Sequence, residues 1–503
     1  MPSADLTLDP HFTVGEVNRR LFGSFVEHLG RCVYDGIYEP GHPSADPEGF
    51  RTDVMELVRE LGVSAIRYPG GNFVSGFRWE DSVGPRDERP ARLDLAWHSL
   101  ENNQVGLDEF AGWLEKVGSE LMYAVNLGTR GVLEAVDVLE YANIRSGTAL
   151  SDARIKNGRV DPHRIKMWCL GNEMDGPWQL GHRNAEDYGK IASQTAKAMR
   201  QLDPDLELVV CGSSNAQMPT FGSWEHTVLR HTYDDVDYIS CHAYYEERDG
   251  DAASFLACAT NMDHFIESVV ATADTVRAEL GRTKRINISF DEWNVWYNTR
   301  FHAEEQITDI ERWPTAPRLL EDAYSVIDAV VVGNLLISLL KHADRVTAAS
   351  LAQLVNVIAP IMTEPGGPAW RQTTFFPFAI TSRLAVGNAL EVRLTSDTYE
   401  TKAYGEVPLV DAVATHDPST GRAAIFLVNR SLDASTTVTV DVSHLGAVDV
   451  LETHTLADDD IYAANTLADR ERVGVAPNPT AKVTDGRLTV ELPRVSWTAV
   501  ALG

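Results

Sequence analysis

The sequence is poor in basic residues. Among its 503 residues, 44 are Lys or Arg and 73 are Asp or Glu, so the formal net charge is −29. A surface of this sign repels phosphate backbones and anionic lipid headgroups at long range. The composition therefore argues against nucleic acid and membrane surfaces as partners, and it suits a neutral ligand without identifying one.

Cysteine is also scarce. The chain has five cysteines at long spacings, with no CxxC pair and no Cys/His cluster of the kind that binds zinc. Several of them lie in apolar runs, as Cys169 does, so buried free thiols are expected. We predict no metal site and no cofactor, and free thiols favour a reducing, cytoplasmic location.

Targeting and membrane-spanning features are missing from the sequence. The N-terminal segment lacks a basic start followed by an apolar run, so no signal peptide is predicted. The longest apolar stretch, near Val330 to Leu340, is interrupted by Gly333, Asn334 and Ser338. It is too short and too interrupted to cross a bilayer.

Short apolar runs alternate with amphipathic helical stretches over residues 18–380. Continuous apolar strands separated by helices predict a parallel sheet that is buried on both faces, and eight such units predict a (β/α)8 barrel of the α/β class. The predicted strands are 22–28, 64–71, 121–128, 165–173, 206–212, 238–244, 286–292 and 346–353. The predicted helices are 50–61, 107–117, 184–202, 264–280 and 319–342.

Polar residues end nearly every predicted strand. In a (β/α)8 barrel the active-site groups stand at the C-terminal ends of the strands, whereas the rival architecture, an open doubly wound sheet, concentrates ligand contacts at one switch point. The distribution around the whole ring favours the barrel. These strand-end residues are Glu27, His28, Arg67, Asn126, Asn172, Glu173, His242, Tyr244, Glu292 and Gln353.

The C-terminal part of the sequence has a different pattern, in which short predicted strands are separated by turn-rich segments. Its predicted strands are 401–404, 410–415, 423–428, 436–442, 488–492 and 498–502. This pattern predicts an antiparallel, jelly-roll-like β-sandwich. Because the first 17 residues also look strand-like, the predicted second domain consists of residues 1–17 plus 381–503.

Two glutamates are candidates for catalysis. Glu173 ends the fourth predicted strand and Glu292 ends the seventh, and those strands face each other across a barrel mouth. Either residue alone could be a structural ion pair. Together they match glycoside hydrolysis, in which one carboxylic acid protonates the departing oxygen and the other carboxylate attacks the anomeric carbon.

The first chemical step requires a protonated Glu173 and an ionised Glu292. Arg67, at the end of the second strand, is expected to keep Glu292 ionised, with a salt bridge elsewhere in the core as its alternative role. The gap between the two carboxyl groups separates a retaining mechanism from an inverting one. Spacing along the chain does not give that gap.

An ordered set of motifs around these residues resembles glycoside hydrolase family 51, the α-L-arabinofuranosidases. The resemblance covers essentially the whole chain and implies a retaining exo-enzyme that acts on arabinose-containing oligosaccharides and assembles as a homohexamer. The motifs are FGSFVEHLGR at 22–31, RYPGGNFVS at 67–75, WEDSVGP at 79–85, LAWH at 95–98, GNEMDGPWQ at 171–179, SCHAY at 240–244, DEWNVW at 291–296 and AQLVNVIAP at 352–360.

The resemblance also implies a role for each matched residue. Glu173 corresponds to the acid/base and Glu292 to the nucleophile. The residues that it implies in substrate binding are Asn172 at the sugar 2-hydroxyl, Glu27, Asn72 and Gln353 around the furanose, His242 and Tyr244 beside the carboxylates, Trp296 as an aromatic wall, and Arg67. The long loops 245–253 and 298–317 are expected to shape the leaving-group side.

Three alternatives stay open. A retaining exo-glycosidase with another pentoside specificity, such as a β-D-xylosidase, would use the same chemistry. A catalytically silent carbohydrate-binding protein would lack one of the two carboxylates, but both are present. A metal-dependent sugar isomerase would require a cluster of carboxylate and histidine ligands, and the sequence shows none. The natural polymer and the preferred linkage are not determined by these residues.

Overall fold

The computed structural model describes residues 2–503, so residue 1 of the predicted segment 1–17 lies outside the described residues. Eight parallel strands close into a barrel in chain order, and the eighth strand pairs with the first. This confirms the predicted (β/α)8 architecture. In order, the barrel strands are Gly23–Phe25, Ala65–Tyr68, Glu120–Ala124, Met167–Cys169, Glu207–Val210, Tyr238–Tyr245, Asn287–Val295 and Val346–Ala352.

Helices cover the outside of the barrel. The α-helices are Thr52–Leu61, Leu107–Val117, Val132–Asn143, Ala149–Lys156, Ala185–Leu202, Ser223–Thr232, Ala252–Leu256, Ala259–Glu279, Asn298–Arg300, Val326–Lys341 and Phe375–Leu384. Short 3₁₀ segments lie at Arg19–Phe22, Asn72–Gly76, Trp79–Ser82, Arg86–Glu88 and Ser443–Leu445, and one π-helical turn at Phe301–Glu305. Several of the shorter helices were not predicted from the sequence, because a few turns with mixed polarity give little periodic signal.

One helix begins later than predicted. The expected helix 319–342 starts at Val326 in the structure, because Ser325 caps it. The Ser325 amide and hydroxyl both donate to Asp328 Oδ2, at 2.7 and 2.8 Å, which is a capping-box arrangement at the N-terminus. Leu319 and Leu320 are buried without being helical.

Two sheets form the second domain. The first has the strand order Arg393–Ser396, Ser3–Thr7, Thr436–Asp441, Arg487–Leu492 and Lys482–Thr484, and the second has the order Thr13–Glu16, Asn388–Leu390, Val410–His416, Ala423–Asn429, Ser496–Leu502 and Val450–Leu456. Side chains from both sheets share one apolar core. The N-terminal strand Ser3–Thr7 joins this domain as predicted, and its pairing with Thr436–Asp441 is parallel.

The predicted strand 401–404 is wrong. A hairpin with strands Thr398–Thr401 and Gly405–Pro408 stands there, and the residues between the strands form its turn. The Thr401 hydroxyl accepts a hydrogen bond from the Tyr404 amide at 2.9 Å and closes the turn. Two further hairpins pair Arg92–Asp94 with Ser99–Glu101 and Ile361–Thr363 with Ala369–Arg371.

The apolar helix Val326–Lys341 joins the two domains. It is buried on nearly every side and contacts strands of the six-stranded sheet as well as the barrel. A Cβ atom at Gly333 would lie 2.2 Å from the Trp497 ring, so the helix and the sheet meet at this glycine. Within residues 2–503, no helix is long and apolar enough to cross a membrane.

The lower end of the barrel, where the strands begin, is closed by a polar cluster. Arg20 donates to Glu120 Oε2 at 2.7 Å and to Glu207 Oε2 at 2.6 Å. The Tyr238 hydroxyl also donates to Glu207, at 2.9 Å. These contacts connect the segment before the first strand with the third, fifth and sixth strands.

The five cysteines are buried free thiols, as predicted.

Candidate active site

The C-terminal ends of the barrel strands converge on one deep cavity. The turn after the fourth strand directs Glu173 toward it, with Gly171 at φ 99° and Glu173 itself at φ 43°. Positive φ is uncommon for a non-glycine residue and often accompanies function. Glu292 reaches the same place from within the seventh strand, Asn287–Val295.

The two glutamates lie side by side. One carboxylate oxygen of Glu173, one of Glu292 and one ring nitrogen of His242 are all within 4.8 Å of one another. Both glutamates are largely buried, with 9% and 5% of their surface exposed. Carboxyl groups about 5 Å apart suit direct attack on a sugar by one of them, because a wider gap is needed to admit a water molecule.

Both oxygens of Glu292 accept hydrogen bonds. Arg67 Nη1 donates to Oε1 at 2.7 Å, and the Tyr244 hydroxyl donates to Oε2 at 2.7 Å. The guanidinium of Arg67 therefore lies against Glu292, and its Nε is also 3.8 Å from the buried carboxylate of Asp291. These two donors fix the carboxylate plane and supply a positive charge at its side.

Glu173 is also held at both oxygens. Its Oε1 lies 2.9 Å from His242 Nδ1, and its Oε2 accepts a hydrogen bond from Trp178 Nε1 at 2.7 Å. The other ring nitrogen of His242 lies 2.9 Å from Asp291 Oδ1. Burial alone would lower the pKa of His242, but Glu292, Asp291 and Glu173 outweigh burial and raise it to about 10. The imidazole is thus protonated at neutral pH and donates from both nitrogens.

Two asparagines lie beside this carboxylate pair. Arg67 Nη2 donates to Asn172 Oδ1 at 2.6 Å, and Asn172 Nδ2 lies 3.3 Å from Asn72 Oδ1. The guanidinium of Arg67 therefore bridges Glu292 and the residue that precedes Glu173. Through this bridge, one side chain fixes the relative position of groups from the second, fourth and seventh strands.

Glu27 is the centre of a second group of hydrogen bonds in the lining of the cavity. Its Oε1 accepts from the Phe73 amide and from Trp97 Nε1, both at 2.8 Å, and Gln353 Nε2 lies 3.3 Å from its Oε2. Burial raises the pKa of Glu27 to about 8; these donors oppose the rise, and the nearby charge of Glu292 adds to it.

The cavity itself has a volume of about 960 Å³. Of the site residues proposed from the sequence, seven line it: Glu27, Asn72, Glu173, Tyr244, Glu292, Trp296 and Gln353. Three do not, namely Arg67, Asn172 and His242. The structure places these three behind the wall, where they contact the two catalytic candidates and their neighbours rather than the open cavity.

Some lining residues escaped the sequence analysis. Trp178, which contacts Glu173, lies in a loop where no periodic pattern points to it. Trp97 received no individual role from the sequence, yet its indole nitrogen donates to Glu27. The long loops 245–253 and 298–317 both reach the cavity, the first through Arg248 and the second through residues that include Phe301 and His302.

The structure also corrects one statement about metal ligands. The sequence showed no carboxylate and histidine cluster, yet Glu173, His242 and Glu292 are spaced like one. Three separate strands supply them, so spacing along the chain gives no sign of the group. Both ring nitrogens of His242 lie 2.9 Å from carboxylate oxygens, of Glu173 and of Asp291, so a metal ion bound by His242 would have to displace one of these contacts.

Comparisons with known proteins give a consistent result. Residues 57–264 match the model "Alpha-L-arabinofuranosidase 1 domain", and residues 291–496 match "Alpha-L-arabinofuranosidase C-terminal domain". An intracellular exo-α-(1→5)-L-arabinofuranosidase of Streptomyces lividans is 61% identical over 99% of this chain and 75% of its own. An exo-α-(1→6)-L-arabinofuranosidase of Bifidobacterium longum is 60% identical over 98% of this chain and 96% of its own.

Solved structures agree with the sequence comparisons. A family 51 α-L-arabinofuranosidase from Bifidobacterium longum superposes with a TM-score of 0.96 at 50% identity, covering 100% of both chains. A thermostable α-L-arabinofuranosidase from Thermotoga petrophila superposes with a TM-score of 0.88 at 31% identity, covering 99% of this chain and 100% of the other.

Proposed function

The chain belongs to the family 51 α-L-arabinofuranosidases, and from this premise we propose that it is a retaining exo-enzyme with Glu292 as nucleophile and Glu173 as acid/base. The observation that carries the proposal is that one oxygen of each carboxylate lies within 4.8 Å of the other and that both residues line one cavity. A retaining double displacement needs this proximity, because no water molecule stands between nucleophile and sugar in its first step.

In the first step Glu292 attacks the anomeric carbon and the glycosidic bond breaks. Arg67 and Tyr244 orient the carboxylate of Glu292, because each donates a hydrogen bond of 2.7 Å to one of its two oxygens. The proton of Glu173 passes to the departing oxygen, so the leaving group departs as an alcohol rather than an alkoxide. A covalent arabinofuranosyl ester on Glu292 is the product of this step.

In the second step water replaces the leaving group. Glu173, now ionised, takes a proton from the water as the water attacks the anomeric carbon, and the ester bond to Glu292 breaks. Glu173 is thereby protonated again, and free arabinose departs with its original anomeric configuration. His242, fixed between Asp291 and Glu173, keeps the acid/base carboxyl oriented through both steps.

The substrates that we propose are arabinose-containing oligosaccharides. Planar polar groups of Glu27, Asn72 and Gln353 line the cavity and suit the hydroxyl groups of one terminal furanose. The relatives are named for α-(1→5) and α-(1→6) linkages, so both linkages belong in the assay. Several relatives are named intracellular, and we propose the same location, together with the homohexamer that the family resemblance implies.

The decisive experiment is NMR of the anomeric configuration during hydrolysis of a 4-nitrophenyl α-L-arabinofuranoside. We expect the α-anomer of arabinofuranose to form first and to mutarotate afterwards. The β-anomer as first product would contradict the retaining mechanism. The matched 4-nitrophenyl β-D-xyloside tests the alternative specificity, and a much higher kcat/KM on the xyloside would remove the arabinose assignment from this chain.

A chelator separates this proposal from a metal-dependent isomerase. The ligand-like spacing of Glu173, His242 and Glu292 makes the test worthwhile. We expect full turnover in EDTA, because Glu173 transfers the proton, Glu292 attacks the sugar and His242 orients Glu173 without a metal ion. Loss of turnover that a divalent ion restores would instead favour metal chemistry.

A further inference from the structure

The loop that follows Glu173 carries a tryptophan with two different environments. The indole nitrogen of Trp178 donates to Glu173 Oε2 at 2.7 Å. The ring nevertheless stays 51% exposed and lines the cavity. One side chain thus contacts the proposed acid and also lines the open cavity.

We propose that Trp178 positions the carboxyl group of Glu173 through its N–H and binds the leaving-group sugar on its exposed ring face. The inference rests on the proposed function, since it assigns a second residue to the same reaction. It concerns the part of the cavity beyond the terminal furanose, for which the sequence indicated the loops 245–253 and 298–317 but not Trp178.

The exposed apolar side chains in the lining of the cavity favour a sugar as the ligand of the ring. Leu95 and Leu180 also line the cavity, and they are 62% and 36% exposed. Large apolar side chains grouped at a cavity and left open to water commonly mark a binding surface. The C–H faces of sugars pack on aromatic rings, so a second sugar unit suits this apolar rim.

A glycine holds the indole in place. A Cβ atom at Gly176 would lie 2.6 and 2.7 Å from atoms of the Trp178 ring, far inside contact distance. The backbone of Gly176 is not in the left-handed region, so the space taken by the indole, rather than the backbone conformation, is what requires glycine there. The ring is packed back over its own loop, which directs the N–H to Glu173.

The loop is also fixed at its far end. A Cβ atom at Gly181 would lie 2.3 Å from the Gly128 carbonyl oxygen, and one at Gly128 would lie 2.3 Å from the Leu180 carbonyl oxygen. The loop therefore rests directly on the turn that follows the third barrel strand. This anchorage gives Trp178 a defined position relative to the barrel.

The two contacts make a joint chemical prediction. His242 occupies Glu173 Oε1, and Trp178 holds Oε2, so the carboxyl plane is set from both sides. A leaving sugar on the ring face lies next to the oxygen that protonates it. The effect of Trp178 on kcat/KM should therefore be largest for a leaving group that needs a proton from Glu173 and is also large enough to contact the ring.

Three substrates separate these contributions. Arabinofuranosyl fluoride has a leaving group too small to reach the ring, 4-nitrophenyl arabinofuranoside reaches the ring but needs little protonation, and α-(1→5)-arabinobiose needs both. The measured quantity is kcat/KM, which reports steps up to formation of the glycosyl-enzyme. The variants are Trp178→Phe, which keeps a ring without N–H, and Trp178→Ala, which removes both.

We expect Trp178→Phe to lower kcat/KM for arabinobiose on the order of tenfold, which is less than the full effect of losing a general acid. The kcat/KM values for the other two substrates should stay nearly unchanged. Trp178→Ala should lose about a further fivefold on arabinobiose and on the nitrophenyl substrate, as expected for a lost aromatic contact, but not on the fluoride. Gly176→Ala, which keeps the indole but displaces it, should follow Trp178→Phe on arabinobiose.

Leu451→Ala serves as the control, because Leu451 is also about half exposed but lies in the second domain. Equal losses on all three substrates for Trp178→Phe would mean that Trp178 only supports the fold, and no loss on arabinobiose would remove its positioning role. An unchanged nitrophenyl reaction in Trp178→Ala would remove the ring-face role. Inactivity of the unmodified enzyme on all three would instead contradict the proposed function.

Discussion

The two ends of the barrel contain the same chemical grouping with different consequences. At the lower end Arg20 lies between Glu120 and Glu207. At the upper end Arg67 lies against Glu292, with Asp291 within 3.8 Å. Each end of the barrel therefore has an arginine beside two carboxylates, and this pairing alone does not distinguish a catalytic site from a structural one.

What differs is access to water and the balance of charge. The two lower carboxylates are 35% and 34% exposed, so solvent screens them. The upper ones, Glu292 and Asp291, are 7% and 1% exposed. A third carboxyl group, Glu173, and a protonated His242 join them beside a cavity. Buried carboxyl groups that outnumber their cations, next to open space, mark the reactive end of this barrel.

The largest effect is expected when the nucleophile is removed. Glu292→Ala should lower turnover by at least about 10⁴-fold, because no covalent intermediate can form. Azide should restore turnover and give a product of inverted configuration. Glu207→Ala, which removes the comparable arginine partner at the lower end, is the matched control and should keep activity within a few fold. Similar losses in both variants would remove the distinction between the two ends.

The next largest effect belongs to the acid/base. Glu173→Ala should lower the glycosylation rate for arabino-oligosaccharides by roughly 10²- to 10⁴-fold, because an alkoxide must then depart without a proton. For a nitrophenolate leaving group the same step should be nearly normal, which a pre-steady-state burst measures. Glu120→Ala is the lower-end control. Equal loss on both substrates in the burst phase would contradict the role of Glu173.

The barrel was predictable because its strands are buried on both faces. The strands Met167–Cys169 and Glu120–Ala124 are buried at all or all but their first residue, so their apolar residues stand out in the sequence without knowledge of the neighbouring strands. The segment 401–404 gave the opposite result. Its Thr and Tyr residues favour strands, but the hydrogen bond from the Tyr404 amide to the Thr401 hydroxyl closes a turn there.

The same difference separates the site residues. Glu173 and Glu292 could be found because each ends a predicted strand whose position in the ring follows from chain order. Trp178 could not, because its contact with Glu173 depends on how a loop folds around Gly176. The sequence likewise gave no sign that Arg67 would stand behind the cavity wall instead of lining it, since that depends on the direction of a side chain.

A smaller effect should appear as a pH dependence confined to the upper end. The pKa of Glu27 is raised to about 8, so Glu27 is neutral below that pH and ionises as the pH rises through it. Ionisation adds a negative charge near Glu292 and removes a hydrogen-bond donor, so kcat/KM should fall above about pH 8. Glu27→Gln should lose this alkaline limb, whereas Glu207→Gln should keep it. An unchanged limb in Glu27→Gln would assign it to another group.

The smallest effect on catalysis is expected from the lower arginine. Arg20→Met should lower the free energy of unfolding by about 1 kcal/mol, because its carboxylate partners are a third exposed and their interaction is screened by solvent. Chemical denaturation measures this change, and its dependence on salt should weaken in the variant. Activity per folded molecule should stay within about twofold, since kcat/KM depends on groups at the other end of the strands. A large fall in kcat/KM without loss of stability would mean that the base of the barrel sets the geometry of its mouth, and that the two ends are coupled rather than separate.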